Sequence, residues 1–332
     1  MPHPSNRQRQ RETAIAAVRA AATVCQRVAQ NLKAVGKLEK QDRSPVTVAD
    51  FASQAVVAAR MARDFPDDEV VGEEQSDQLR QASGAPLLAA VHEQVAAVAE
   101  GAGSSQNEVL DLIDRCGAPA DGPRYWTLDP IDGTKGFLRG GQYAIALALI
   151  EDHQVVLGVL GCPNLAIDQM QGVLLVAEAG SGTVLLPLNG DDSEGRAMRV
   201  SSLIEPDQAR FCESVESAHS SHDDAVKLAE KLGITAAPLR MDSQAKYAAV
   251  ASGQAQIYLR LPTRTDYREY IWDHAAGMIA VTEAGGRVSD VYGRALDFSK
   301  GRRLEANRGI IATNGAVHDA VAEAVGEVLG GA

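Results

Sequence analysis

The sequence predicts an α/β protein with an antiparallel sheet in its N-terminal part and a smaller mixed sheet in its C-terminal part. Three observations point there. Apolar residues make up 45% and charged residues 23% of the 332 residues, the mix of a globular chain. Five strand-like runs follow one another in close succession between residues 124 and 187, some joined by short turns, which suggests an antiparallel sheet. From about residue 201 helical and strand patterns alternate instead. The length suits about two domains of ordinary size, and the change of pattern divides them as 1–200 and 201–332.

Residues 8 to 35 carry Ile15, Val18, Ala22, Cys25, Ala29 and Leu32 at helical spacing, with Gly36 as the stop. A second helix is expected from about Val48 to Arg63, closed near Pro66. The run EVVG (69–72) reads as a short strand that delivers Glu73 and Glu74. Between 75 and 122 the texture changes. PLLAAVHEQVAAVAE puts Leu88, Val91, Val95 and Val98 on one helical face, EGAGSSQ breaks it, and NEVLDLIDRCG suggests another short helix. The strands RYWTL, YAIALALI, QVVLGVL, VLLVAEA and TVLLP come next, joined by turns such as EDHQ and GSG. PLNGDDSEG (187–195) is a loop shortly before the expected domain boundary. Beyond it, helices near 222–232, 244–252, 274–284 and 315–329 alternate with the strands QIYLR and GIIAT.

Aromatic residues are only 4% of the chain, so the core must be built mainly from Ala, Val, Leu and Ile. Lys and Arg number 32 against 44 Asp and Glu, a net charge of −12. That balance argues against a nucleic-acid or membrane-surface binder, which would carry a basic stripe. An acidic protein that handles phosphates must recruit cations locally, and metal ions are the obvious source. Arg19 interrupts the apolar stretch near the N-terminus, so no signal-peptide core is expected there, and no apolar run reaches 18 residues. Cys25, Cys116, Cys162 and Cys212 are scattered without CxxC spacing. Reduced, mostly buried thiols and a cytoplasmic location are the expectation. Nothing in the sequence fixes the oligomeric state, a monomer included.

The stretch WTLDPIDGTKGF (126–137) ends an apolar run on Asp129 and Asp132 around Pro130 and then turns at Gly133-Thr134-Lys135. Pro130 keeps Asp129 out of the helical region, so the two carboxylates are not one helix face. Alone, D-x-x-D-G is mostly a turn. Three other acidic sites also stand at the ends of elements. Asp50 follows SPVTVA, where Thr47-x-x-Asp50 also fits a helix capping box. Glu73 follows the strand EVVG. Asp273 lies in IWDHAAGMIAVTEAGG, where it could cap a helix that Gly285 ends. Together these sites suit a hard divalent cation, which takes several oxygen ligands and borrows phosphate oxygens. The backbone N–H groups of Gly133, Thr134 and Lys135 then offer an anion cradle at a helix start. Metals beside an anion cradle imply chemistry on a phosphate ester.

The segments SPVTVADFASQ, VVGEE, WTLDPIDGTKGF and IWDHAAGMIAVTEAGG resemble the lithium-sensitive, magnesium-dependent phosphomonoesterases of the inositol monophosphatase superfamily. The likeness runs from about residue 10 to 328. Within the superfamily, RGGQYAIALALI, VVLGVLGCPNL, VESAHSSHDD, MDSQAKYAAVASG and YLRLP resemble the 3′(2′),5′-bisphosphate nucleotidase branch, as does the long gap between Glu73 and Asp129.

The resemblance implies a layered α/β/α/β/α sandwich and two or three Mg²⁺ per active site. Glu73, Asp129, Asp132 and Asp273 are then metal ligands, with the Ile131 carbonyl. Asp50 and Thr134 position and deprotonate the attacking water. Gly133, Thr134, His219, Ser243, Lys246, Arg260 and Asp273 contact the substrate, adenosine 3′,5′-bisphosphate, with no nucleic-acid or membrane partner. HSSH (219–222), followed by Asp223 and Asp224, imitates a zinc site, but its context and the resemblance argue against one. Two alternatives stay open: an inositol monophosphatase or sugar phosphatase with the same metal centre, and a non-catalytic sensor of the bisphosphate.

Overall fold

The computed structural model describes residues 4–35, 48–99, 101–190, 192–215, 222–264 and 266–330. Two long helices come first, α1 (Pro4–Val35) and α2 (Val48–Asp64), then the strand β1 (Glu69–Gly72). The excursion that follows holds α3 (Asp77–Arg80), α4 (Ala85–Val98) and α5 (Gln106–Asp114). The next run is β2 (Arg124–Asp132), α6 (Thr134–Arg139), β3 (Ala144–Glu151), β4 (Gln154–Ile167), β5 (Met170–Glu178), β6 (Gly182–Pro187) and β7 (Arg196–Ala197). The C-terminal run is β8 (Phe211–Glu213), α7 (His222–Leu232), β9 (Leu239–Arg240), α8 (Ala245–Ala251), β10 (Ile257–Arg260), α9 (Ala275–Glu283), β11 (Arg287–Ser289), β12 (Ile310–Thr313) and α10 (His318–Gly330).

Strands β1 to β7 form one sheet in sequence order, and a five-stranded sheet has the order β11-β12-β10-β8-β9. The first sheet is antiparallel except at its edge, where β1 runs parallel to β2. The second is mixed: β10 pairs antiparallel with β12 and parallel with β8. Helices α1 and α2 cover one face of the large sheet, α8 and α9 lie between the sheets, and α7 and α10 cover the far face of the small one. The result is the α/β/α/β/α sandwich that the resemblance implied.

Period-2 alternation sorts the large sheet's side chains onto those layers. Ile145, Leu147 and Leu149 of β3 join the core under α1 and α2, while Ala144, Ala146 and Ala148 face the α9 side. The small residues are there because α9 approaches closely: a Cβ on Gly158 of β4 would meet Ile279 Cγ2 at 2.4 Å. The β3–β4 hairpin turns on Asp152 and His153, both at positive φ (47° and 64°), the two-residue form that matches strand twist.

Elements of two to four residues such as β8, β9, β11 and α3 were not anticipated, because so short a run carries no periodicity. The expected stop at Gly36 and the cap at Thr47 lie outside the described residues. Gly285 does close α9, at φ 95°. Asp273 does not cap that helix; His274 occupies the N-cap position, without a side-chain capping bond. Among the described residues, no helix is long and apolar enough to cross a membrane, and all four cysteines are buried as free thiols.

The packing of α8 against α9 yields a paired test. A Cβ on Gly277 would lie 2.2 Å from Cδ2 of the buried Tyr247, so Gly277→Ala should cost about 1–3 kcal/mol through overpacking. Gly326 of α10 is exposed with nothing within 4 Å, so Gly326→Ala should instead stabilise by about 0.5–1 kcal/mol. Urea unfolding midpoints that move the same way for both variants would contradict this account of the interface.

Candidate active site

A cavity of about 530 Å³ is lined by Glu73, Asp129, Asp132, Thr134 and Asp273, brought together from three places in the chain. Glu73 follows the end of β1. Asp129 and Asp132 lie on β2, where the pairing with β3 slips between them and the strand is no longer regular. Asp273 precedes α9. Asp50, on the first turn of α2, is almost fully buried beside them, its Oδ1 3.4 Å from the Thr134 hydroxyl.

The local sequence explains how β2 ends. Gly133 sits at φ 84°, and a side chain there would strike Ser243 Cβ at 2.9 Å. This left-handed residue turns the strand sharply into α6. The Thr134 hydroxyl makes its shorter bond, 3.2 Å, to the Ile131 carbonyl. That carbonyl, expected as a metal ligand, therefore already accepts one proton, and its second lone pair remains for a cation. Ser53 of α2 fixes the same bend by donating to the Pro130 carbonyl at 2.9 Å.

Asp132 accepts from the Gln244 backbone N–H at 2.6 Å. Ser243, the residue before, is held at φ 68°, an uncommon conformation for a residue with a side chain, and it lines the cavity. Lys246 is buried on α8 with its ammonium 5.3 Å from the centre of the Tyr258 ring. Among the described residues no carboxylate pairs with it, and burial lowers its pKa. Arg260 differs. Its Nε lies 2.8 Å from Glu269, and its Nη2 lies 3.7 Å from Asp273. Those carboxylates hold the guanidinium well above its ordinary range against the opposing effect of burial. His219 lies outside the described residues.

Three residues to which the sequence reading assigned no role hold the site's side chains and backbone in place. Gln54 of α2 donates to the Glu74 carbonyl at 2.8 Å and accepts from the Glu74 N–H at 3.0 Å, locking the chain just after Glu73. Gln244 joins Asp132 to the Asp273 segment, because its side chain donates to the Trp272 carbonyl at 2.9 Å. Glu269 orients Arg260 and lies 3.4 Å from His274, which shares a 2.8 Å hydrogen bond with Tyr247. The one visible signal was a polar Gln54 on an otherwise Ala- and Val-rich helix face.

The electrostatics are those of an acidic cluster lacking its counter-charge. Asp129 is held well above the usual carboxylate range by burial, then by Glu73, Asp132 and Asp273. Glu73 opens toward the cavity on one side yet is hemmed in by protein on the other. Its carboxyl is raised by that enclosure and by Glu74, Asp273, Asp50 and Asp132. Burial also raises Asp273 to about 7 and Glu74 to about 8, the latter helped by Asp50. Asp129 Oδ1 is buried and has no hydrogen-bond partner. A buried oxygen facing other carboxylates without a donor suits a cation. Glu269, Asp273 and His274 also bring ligand atoms within 4.8 Å of one another. Arg260 ion-pairs with Glu269 there and reaches Asp273, which offsets part of that group's charge.

The inositol monophosphatase family model matches residues 6–329. The chain belongs to this family. An inositol monophosphatase from Anabaena (Nostoc) sp. PCC 7120 superposes with a TM-score of 0.61 at 23% identity, covering 96% of each chain. The IMPase of Thermotoga maritima superposes with a TM-score of 0.64 at 24% identity, covering 96% of this chain and 98% of that one. Sequence relatives are nearer. The 3′(2′),5′-bisphosphate nucleotidase of Emericella nidulans is 45% identical, over 97% of this chain and 99% of its own. That of Schizosaccharomyces pombe is 42% identical over 96% and 95%, and that of Oryza sativa 46% over 94% and 92%. Inositol monophosphatase family enzymes are metal-dependent, and the acidic cavity fits that requirement.

The raised carboxyls carry a stability consequence. The folded state keeps protons that the unfolded chain has already released, so stability of the metal-free protein falls as pH rises. The fall runs up through about 7 for Asp273 and about 8 for Glu74. Buried His274 and His318, whose pKa values are lowered from 6.5, work in the opposite direction only below that value. Melting in EDTA should therefore show Tm dropping between about pH 6.5 and about pH 8.5. Saturating Mg²⁺ should remove most of the drop, since a bound cation favours the ionised ligands. A drop of the same size in EDTA and in Mg²⁺ would show that these carboxyls are not cation ligands.

Proposed function

We propose that this chain is a Mg²⁺-dependent 3′(2′),5′-bisphosphate nucleotidase that hydrolyses adenosine 3′(2′),5′-bisphosphate to AMP and phosphate. One observation carries the reading: an acidic cluster with an orphaned carboxylate oxygen lines the same cavity as the buried ammonium of Lys246, which has no salt-bridge partner among the described residues. A substrate with one phosphate on the acidic side and a second near the ammonium answers both. The relatives named as bisphosphate nucleotidases at 42–46% identity support the same substrate. The buried free thiols are in keeping with a cytoplasmic enzyme.

Glu73, Asp129, Asp132, Asp273 and the Ile131 carbonyl would hold the ions, two or three of them. When bound, the ions supply an acidified water and offset charge on the phosphoryl and leaving oxygens. The protein's own groups do the rest. Thr134 aligns the attacking water and passes its proton to Asp50, whose Oδ1 is the second acceptor within reach of that hydroxyl. Backbone N–H groups of Gly133 and Thr134 receive the phosphoryl oxygens. The new bond joins the water oxygen to phosphorus as the ribose oxygen departs, so no side chain is phosphorylated. His219, Ser243, Lys246 and Arg260 would hold the nucleotide.

Lys246 gives the cleaner test of substrate choice, because Arg260 is also tied to Asp273 and its removal disturbs a metal ligand. Binding the phosphate that is not cleaved is largely uniform binding, so Lys246→Met should raise KM with kcat little changed. A charged hydrogen bond of about 1.5–3 kcal/mol corresponds to a loss of about ten- to a hundredfold in kcat/KM. Adenosine 3′-monophosphate should be a poor substrate that is indifferent to the change, and EDTA should abolish turnover of both. Equal losses on the two substrates would place Lys246 at the reacting phosphate or in the fold. A preference for inositol 1-phosphate would favour the inositol monophosphatase reading, and binding without phosphate release would favour a sensor.

A further inference from the structure

Glu73 is the most precariously mounted of the carboxylates. Its strand, β1, has four residues, lies at the sheet edge and pairs with β2 alone. On its open side the 116–118 segment touches it, through Gly72 N–H to the Cys116 carbonyl at 2.7 Å and Ala118 N–H to the Val70 carbonyl at 3.3 Å. Asp273 belongs to a different layer and reaches the cavity from the other direction. Their separation sets the span of the acidic side of the cavity that they both line.

One side chain spans that gap. Arg302 donates from Nη2 to the Gly72 carbonyl at 2.6 Å, one residue before Glu73. Its Nη1 donates to the Ala118 carbonyl at 2.9 Å, gripping the segment that braces β1. The same guanidinium lies 4.7 Å from the ring centre of Trp272, one residue before Asp273. Its backbone carbonyl accepts from Ile271 N–H at 3.1 Å. The Trp272 ring nitrogen is buried without a hydrogen-bond partner, so stacking against Tyr270, at 4.4 Å, and Arg302 is what fixes the ring. The Arg302 loop is itself anchored to the large sheet where the buried Tyr125 hydroxyl donates to the Phe298 carbonyl at 3.0 Å.

We propose that Arg302 is a positioning residue that sets the spacing between Glu73 and Asp273 by holding Gly72 through hydrogen bonds and Trp272 through its face. It rests on the metal-dependent reading above. It touches neither substrate nor reacting atoms, so its effect falls on cation affinity rather than on nucleotide recognition. Lysine keeps the charge, but its donors all sit on one nitrogen, without the planar fork that serves two carbonyls and a ring at once.

The decisive measurement is calorimetric titration of Mn²⁺ into the full-length protein without nucleotide, alongside Mg²⁺ dependence of phosphate release. Groups that orient metal ligands typically cost about 10–100-fold in metal affinity when removed, and R302M should weaken Mn²⁺ binding by about that factor. Half-maximal activity should need correspondingly more Mg²⁺, while KM for the bisphosphate at saturating Mg²⁺ stays within about threefold of the parent. R302K should fall between the two. Parent-like Mn²⁺ affinity in folded R302M or R302K would overturn the proposal, as would a rise in KM equal to the loss of cation affinity. Unfolding of both variants, seen by circular dichroism, would make Arg302 a general stabiliser and overturn it too. A parent protein that binds no Mn²⁺ would sink the metal-dependent reading itself, before any variant is made.

Discussion

Everything around the cavity answers to the mutual repulsion of carboxylates that must share a partly dry space. Glu73, Asp129 and Asp273 gain nothing from one another, and burial adds to the penalty on their charged forms. Left to themselves such groups would part or take up protons. The scaffold has to force them together and leave an oxygen such as Asp129 Oδ1 without a donor, so that a cation is the favourable partner. Stability is given up locally for affinity.

The force is distributed over neutral contacts as well as charged ones. Gln54 clamps the backbone after Glu73, Ser53 holds the Pro130 carbonyl, and Gln244 ties Asp132 to the Trp272 carbonyl. None of these adds net charge to the cluster, so they fix backbone without neutralising the carboxylates that a cation needs. Arg302 is charged, but its fork ends on carbonyls rather than carboxylates. Close packing of α9 on the alanine- and glycine-rich face of the large sheet sets the distance between layers on which all these ties depend.

This division explains what could be read from the sequence. The carboxylates were legible because each ends a strand or begins a helix, and DPIDGT marks a sharp turn whose Gly133 does adopt the left-handed conformation. The five consecutive strands were legible from their alternation and short turns. β1 as a parallel edge strand was not, since four residues cannot announce their partner. β8 and β11 exist because β10 and β12 lie beside them, and β9 because β8 does, which no local window reveals. Gln244 and Arg302 act across more than one layer, through contacts that only the fold creates. Arg260 was readable as a cation facing the cavity, but its pairing with Glu269 was not.

That pairing separates Arg260 from Lys246, two of the cations that line the cavity, by role. Arg260 faces Glu269 and Asp273, and its guanidinium is already largely satisfied. A phosphate reaching it would compete with carboxylates that also orient a metal ligand. Lys246 has an aromatic face and the cavity but no ion pair among the described residues, and burial works against its charge although the nearby Asp132 and Asp242 favour it. An anion arriving near Lys246 removes a desolvation cost already incurred in the empty protein, whereas one arriving at Arg260 replaces a partner. Discrimination between one phosphate and two should therefore depend mainly on the lysine. The arginine, linked through Asp273 to the metal side, is better suited to coupling the nucleotide's position to that of the reacting phosphate.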